Sequence, residues 1–141
     1  MIRKLTEELL NELIDSAELD KYLKENQFES PGLSTYLNEL LEEKGLKRAE
    51  VVKKAGLNEV FGYQIFTGAR GASRDTLLQI AFAMKLNLKE TNRLLQAGGL
   101  NYLYPKNRRD AIIIFCLENR CSLYETDCEL SRLNERCITK E

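Results

Sequence analysis

Histidine and tryptophan are absent from the 141 residues, and proline occurs only twice, at Pro31 and Pro105. Without histidine, the commonest general base and the commonest metal ligand are both missing. A cysteine nucleophile would lack its usual partner. No G-x-x-x-x-G-K-[ST] loop and no G-x-S-x-G elbow occurs, so nothing in the chain supports catalysis and no cofactor is expected. The small residues of "GARGAS" (68–73) follow a short helical segment rather than a strand, which argues against a phosphate loop. No run approaches the roughly 18 apolar residues of a membrane span. The start, "MIRKLTEELLNELIDSAEL", intersperses acids where a signal peptide would be apolar, so a cytoplasmic protein is expected.

Cysteine is present but poorly arranged for metal. Cys116, Cys121, Cys128 and Cys137 are spaced five, seven and nine residues apart, with no C-x-x-C knuckle. A zinc site is therefore disfavoured and no metal is expected. Nothing points to export, so a disulfide framework is disfavoured too. Buried or half-buried reduced thiols are the expectation.

The net charge of −1 hides an uneven distribution. Residues 1–30 hold four basic and eight acidic side chains; residues 31–109 hold thirteen and seven; residues 110–141 hold four and seven. A basic centre thus lies between acidic flanks, and local field governs phosphate attraction more than the total does. Uneven charge is also common on solvated helices.

Hydrophobic spacing and punctuation predict an all-α chain in three parts. In residues 1–30, Leu5, Leu9, Leu10, Leu13, Ile14 and Ala17 form an i, i+3/i+4 stripe opposed by Glu7, Glu8, Glu12 and Asp15, an amphipathic helical arm broken by "ENQFESPG". Residues 31–99 read as five helices. The first runs from about Ser34, as N-cap, to Lys44; the second from Arg48 to Ala55, stopped by Gly56; the third opens at Asn58 and stops at Gly68. The fourth follows Ser73 and carries Asp75 in its first turn, and the fifth has Asn87 and Glu90 at capping-box spacing and ends at Gly98-Gly99. Residues 100–141 predict a helical hairpin: Pro105 in a first helical turn, "AIIIFCL" as a buried helix or a strand, then Ser122 and Glu125 at capping-box spacing.

The stretch "LKRAEVVKKAGLNEVFGYQIFTGARGASRDTLLQIAFAM" (46–84) resembles the helix-turn-helix of the phage Cro and repressor (XRE) family. The resemblance rests on Arg48, Val51-Val52, Gly56-Leu57-Asn58, Ile65, Gly68, Arg70, Ser73 and Leu77-x-x-Ile80-Ala81. "YQIFTG", "SRD" and "LYPKNRRDAIIIF" also look like a bacterial subgroup of such regulators. The resemblance implies a five-helix DNA-binding bundle (31–99) with an N-terminal arm and a C-terminal extension. It departs from the family's pattern at Gly62, where a branched aliphatic is usual, and at Ala72, where proline is usual. The large Phe61 is expected to fill the space above Gly62.

Residues 58–67, placed on a helix, separate into two flanks. Asn58, Phe61, Gly62 and Ile65 would face the core; Glu59, Val60, Tyr63, Gln64 and Thr67 would face outward. The outward flank carries no cation, yet it suits base edges. Gln64 can pair with adenine, Glu59 with cytosine N4, and Val60 and Tyr63 can touch a thymine methyl. Thr67, Lys47, Arg48, Lys53, Arg70 and Arg74 are the expected phosphate or positioning residues, helped by backbone N–H groups at the start of the second helix. Such domains usually dimerise to read two half-sites. The tail residues Ile112, Ile113 and Phe115 are the candidate contact, with Ile114 beside them and the arm as the other choice; Asp110 is expected to pair with Arg108 or Arg109. The expected function is sequence-specific binding of double-stranded DNA by a homodimeric transcriptional regulator of repressor type. The alternative is a non-enzymatic adapter that retains the fold and uses Val60, Tyr63 and their neighbours to hold a protein partner.

Overall fold

From Asn58 onward polar side chains cap the helix starts, and from Gly45 onward left-handed residues, glycine or not, follow most helix ends. The computed structural model describes residues 6–15, 18–25 and 32–139. Among them are nine helices and no strand: α1 (Thr6–Asp15), α2 (Leu19–Glu25), α3 (Leu33–Lys44), α4 (Arg48–Lys54), α5 (Glu59–Thr67), α6 (Arg74–Ala83), α7 (Leu88–Ala97), α8 (Arg108–Glu118) and α9 (Leu123–Arg132). The protein is all-α, and none of these helices is long and apolar enough to cross a membrane. The chain forms two compact units, Met1–Ser30 and Pro31–Glu141, and the 100–141 segment lies within the second.

In the first unit the single expected helix is two. The Tyr22 hydroxyl donates to the Leu9 carbonyl at 3.3 Å, which ties α2 back to α1. Leu9 is half-buried, whereas Leu10, Leu13 and Ile14 are exposed. Leu5, Ala17 and residues 26–31 of the expected break at 25–32 lie outside the described residues, and Glu25 is the last residue of α2.

In the second unit the local signals act as expected at most helix starts. Asn58 accepts from the Phe61 N–H, Ser73 from Thr76, and both Asn87/Glu90 and Ser122/Glu125 close reciprocal capping boxes. "AIIIFCL" lies within helix α8, paired with α9 as a hairpin. Two starts differ. Ser34 is not a cap: α3 begins at Leu33 behind Gly32, and the Ser34 hydroxyl donates to the Phe66 carbonyl at 2.6 Å instead. Pro105 lies in a turn ahead of α8, and Asn107 caps that helix by accepting from the Asp110 N–H.

Helix α6 is the central rod, buried without interruption from Thr76 to Phe82. It shares one buried core with Leu37 and Leu40 of α3, Val51 and Val52 of α4, Ile65 and Phe66 of α5, Leu94 and Leu95 of α7, Ile113 and Cys116 of α8, Leu130 of α9 and Ile138 near the chain end. Its one buried amide, Gln79, donates to the Ala55 carbonyl at 2.9 Å, which satisfies both polar groups and holds the end of α4.

The N-termini of α6 and α8 are cross-linked by charge. Arg74 forks onto both carboxylate oxygens of Asp110 at 2.7 and 2.8 Å, and Arg109 meets Asp75 at 2.9 Å. Asp110 therefore pairs with neither Arg108 nor Arg109 as its hydrogen-bonded partner; Arg108 reaches Glu135 at 3.0 Å. Burial pushes the Asp110 carboxyl up. The Arg74 hydrogen bonds, the Tyr104 N–H and the charges of Arg74 and Arg109 more than reverse this, so it ionises below its ordinary value. The chain end is strapped onto the hairpin through Asp127, which accepts from the Ile138 N–H at 2.6 Å and from the Thr139 N–H at 3.2 Å.

Candidate nucleic-acid interface

The geometry of α4 and α5 follows from a missing side chain. Gly56, at φ +74°, ends α4 in the left-handed region that glycine tolerates, and only Leu57 and Asn58 intervene before α5. A Cβ placed on Gly62 would lie 2.5 and 2.7 Å from the two γ-methyls of Val52. Val52 therefore fills the space above Gly62, and Phe61, expected there, is half-buried against the core. With no Cβ in the way, α5 seats its backbone directly on α4.

The far end of α5 is held just as firmly. The Phe66 carbonyl accepts from both Ser34 Oγ and Asn38 Nδ2, the latter at 2.9 Å, so α3 grips the last turn of α5. Gly68, at φ +86°, then turns the chain. The Gln64 carbonyl accepts from the Arg70 N–H and from the Thr67 hydroxyl, both at 3.2 Å, folding the following loop back along the helix.

This clamping sets the two flanks of α5. Gly62, Ile65 and Phe66 are buried, and Phe66, which the flank assignment from sequence left out, is among the largest fully buried side chains. Glu59, Val60, Tyr63 and Thr67 are exposed, with Val60 at 64 % and Tyr63 at 51 %; Gln64 is half-buried. The side chains of Glu59 and Gln64 make no hydrogen bond among the described residues, so the carboxylate and the amide face solvent uncommitted.

The cations around this face fall into distinct groups. The Arg48 guanidinium, from the start of α4, stacks over the Tyr63 ring with Cζ 4.4 Å from its centroid. The Arg70 guanidinium, from the loop, lies over the Phe61 ring at 5.4 Å. The helix without a Lys or Arg thus has an arginine set beside it from each side. Lys47 is exposed next to Arg48, where it caps α4 without a side-chain hydrogen bond. Lys53 is exposed in the last turn of α4, and no hydrogen bond, ion pair or ring contact joins it to α5. None of these four cations is in an ion pair among the described residues.

Arg74 departs from its expected place among the phosphate contacts. Besides Asp110, it donates to the carbonyls of Asn101 at 3.2 Å and Tyr102 at 2.7 Å, so its fork is spent inside the protein. Two nearby arginines are similarly occupied: Arg109 donates to Asp75 and to the carbonyls of Arg136 and Cys137, and Arg108 to Leu133 and Glu135. Tail residue Ile113 is fully buried and cannot be an intermolecular contact; Ile112 and Ile114 are half-buried, and Phe115 is 65 % exposed.

No family model, curated protein or solved structure matches this chain.

What the face can do is set by its chemistry. It offers an amide, a carboxylate, two branched or aromatic apolar groups and unpaired cations on a rigid support. No disulfide joins the cysteines among the described residues, and burial pushes the Cys116 thiol up to about 11, which keeps it protonated at neutral pH. Among the described residues no cluster of three or more His, Cys, Asp or Glu side chains is placed to hold a metal.

Proposed function

We propose that α4 and α5 are the helix-turn-helix of a Cro/repressor-type bundle formed by α3 to α7, and that the protein binds double-stranded DNA sequence-specifically as a non-enzymatic transcriptional regulator. The observation that carries this reading is the pairing state of the cations. Lys47, Arg48 and Arg70 stand exposed and unpaired beside the uncommitted flank of α5, where phosphates would flank a helix lying in a major groove. Gln64, Glu59 and Val60 supply base contacts, and Thr67 adds a phosphate contact. Arg74 takes no part in this interface.

One such module reads few base pairs, so the working species is a homodimer on half-sites about 34 Å apart, or a multiple of that. Of Ile112, Ile113 and Phe115, Phe115 is the one left exposed for that contact. Selection of bound fragments from random duplex DNA tests both points: a two-fold symmetric motif supports them, and no enrichment overturns the DNA reading.

The exposure of Val60 and Tyr63 on one flank favours a second reading, a protein-binding adapter on the same fold. Salt separates the two. A dimer neutralising about six phosphates loses roughly three orders of magnitude in affinity between 50 and 200 mM salt, whereas an apolar protein interface changes little.

A further inference from the structure

The four unpaired cations are not equivalent. Lys47 and Lys53 carry flexible ammonium groups that nothing orients, and Arg70 lies 5.4 Å from its ring. Arg48 sits closest to an aromatic face, 4.4 Å from the Tyr63 centroid, and makes no hydrogen bond or ion pair among the described residues. Stacking restricts the guanidinium while leaving its N–H edge unspent. A phosphate needs only charge nearby, but a bidentate contact to a base edge needs a planar fork held at a defined angle. That ordering is in place before any ligand arrives, which lowers the entropy cost of a directional contact.

The position of the stack follows from the packing beneath it. Gly62 lets α5 settle onto Val52 of α4, and Tyr63 is the next residue. Tyr63 is on the flank that holds Glu59, Val60 and Gln64, so the fork lies at the base-reading face rather than on an outer rim.

We infer that Arg48 is a guanine-reading residue and that Tyr63 is its positioning residue. Arg48 donates to O6 and N7 of a half-site guanine, and the Tyr63 ring holds the fork in register. The assignment rests on the DNA-binding reading given above and changes the role of both residues within it, since Arg48 now specifies and Tyr63 supports.

The test uses the full chain, with site selection followed by titration of the selected duplex and of variants at each guanine. Wild-type protein should discriminate against loss of one half-site guanine by about tenfold or more. Arg48→Lys keeps the charge and removes the fork; it should abolish that discrimination. Tyr63→Phe keeps the ring and should retain the preference, and Tyr63→Leu should lose most of it. In the free protein, the ring current of Tyr63 should shift the Arg48 side-chain resonances, and Tyr63→Leu should return them to ordinary positions. A selected site whose guanine preference survives Arg48→Lys overturns the assignment alone. Absence of any selected site overturns both the assignment and the reading beneath it. Equal loss of preference in Tyr63→Phe and Tyr63→Leu overturns the positioning role of the ring.

Discussion

Two pairs of arginines in this protein receive opposite treatment. Arg48 and Arg70 lie on aromatic rings of α5 with their N–H edges unspent. Arg74 and Arg109 have theirs consumed by Asp110, Asp75 and four backbone carbonyls at the α6–α8 seam. All four belong to the basic central segment, and by charge count they are interchangeable. Their partners divide them: a ring orients a guanidinium and leaves it available, whereas a buried carboxylate converts it into a structural cross-link. A basic patch is therefore defined by which cations remain unpaired, not by how many there are.

The largest effect should come from breaking the seam. Arg74→Ala leaves the Asp110 carboxylate, whose side chain is only 6 % exposed, without its charged partner. The expected loss is about 3–5 kcal/mol in urea unfolding. Asp110→Asn tests the same link through pH. Because the folded pKa of Asp110 is depressed, its contribution is fully present above the unfolded value of about 4 and is lost as pH falls through the lower folded value. The variant should therefore show a shallower decline of stability across that acidic window. If Arg74→Ala leaves stability unchanged and instead weakens binding to all DNA alike, the division between the two arginine pairs is wrong.

Next in size is the contact that seats α5 on α4. Gly62→Ala gains helix propensity of about 1 kcal/mol, but its methyl meets the stiff, β-branched Val52. Overpacking costs about 1–3 kcal/mol, so a net loss of up to about 2 kcal/mol is expected by thermal or urea unfolding. Adding Val52→Ala should make the double variant more stable than the sum of the single losses, by about 1 kcal/mol of coupling. Additive losses would mean that Val52 does not occupy the space above Gly62.

The helix punctuation was legible in the sequence because it is local. Asn58, Ser73, Asn87 with Glu90, and Ser122 with Glu125 each bond a backbone group three residues away, within the span of one turn. Ser34 has the same side-chain chemistry, but its acceptor is the Phe66 carbonyl 32 residues on, so no local rule finds it. Asp110 is a similar case. Two adjacent arginines were the nearest candidates, and its forked partner lies 36 residues away on another helix. Periodicity separated most of the α5 flanks but set Asn58 on the core side, where it is exposed; Phe66 and the Val52 methyls above Gly62 depend on how closely two helices approach, which periodicity does not encode. The arm shows the same limit: its apolar spacing ran on as one helix, and the structure has α1 and α2.

The unspent arginines should show the reverse balance of effects. Arg48→Ala and Arg70→Ala remove one exposed cation–π contact each, worth about 0.5–1 kcal/mol of stability. In DNA titrations each should lower the dependence of log affinity on log salt by about 1 for every phosphate contact it removes. For Arg48 the loss of base preference comes in addition. Lys53→Ala, at the other end of α4 and unconnected to α5, should change the slope less than Arg70→Ala. A larger effect at Lys53 would move the phosphate track towards the C-terminal end of α4.

Arg108→Ala is expected to do least, and that makes it a useful control. Its side chain bonds the Leu133 carbonyl at 2.7 Å and Glu135 at 3.0 Å, a pattern that resembles the seam on paper. It differs in exposure: the Arg108 side chain is 61 % accessible, against 12 % for Arg109. Water screens an exposed pair and competes for its donors, so the loss should stay within about 1 kcal/mol, with no change in DNA affinity. If Arg108→Ala proved as damaging as Arg74→Ala, burial would not be what separates a structural arginine from a spare one. The number of bonds made would then set the division, and Arg48 and Arg70 would remain available only because they make none.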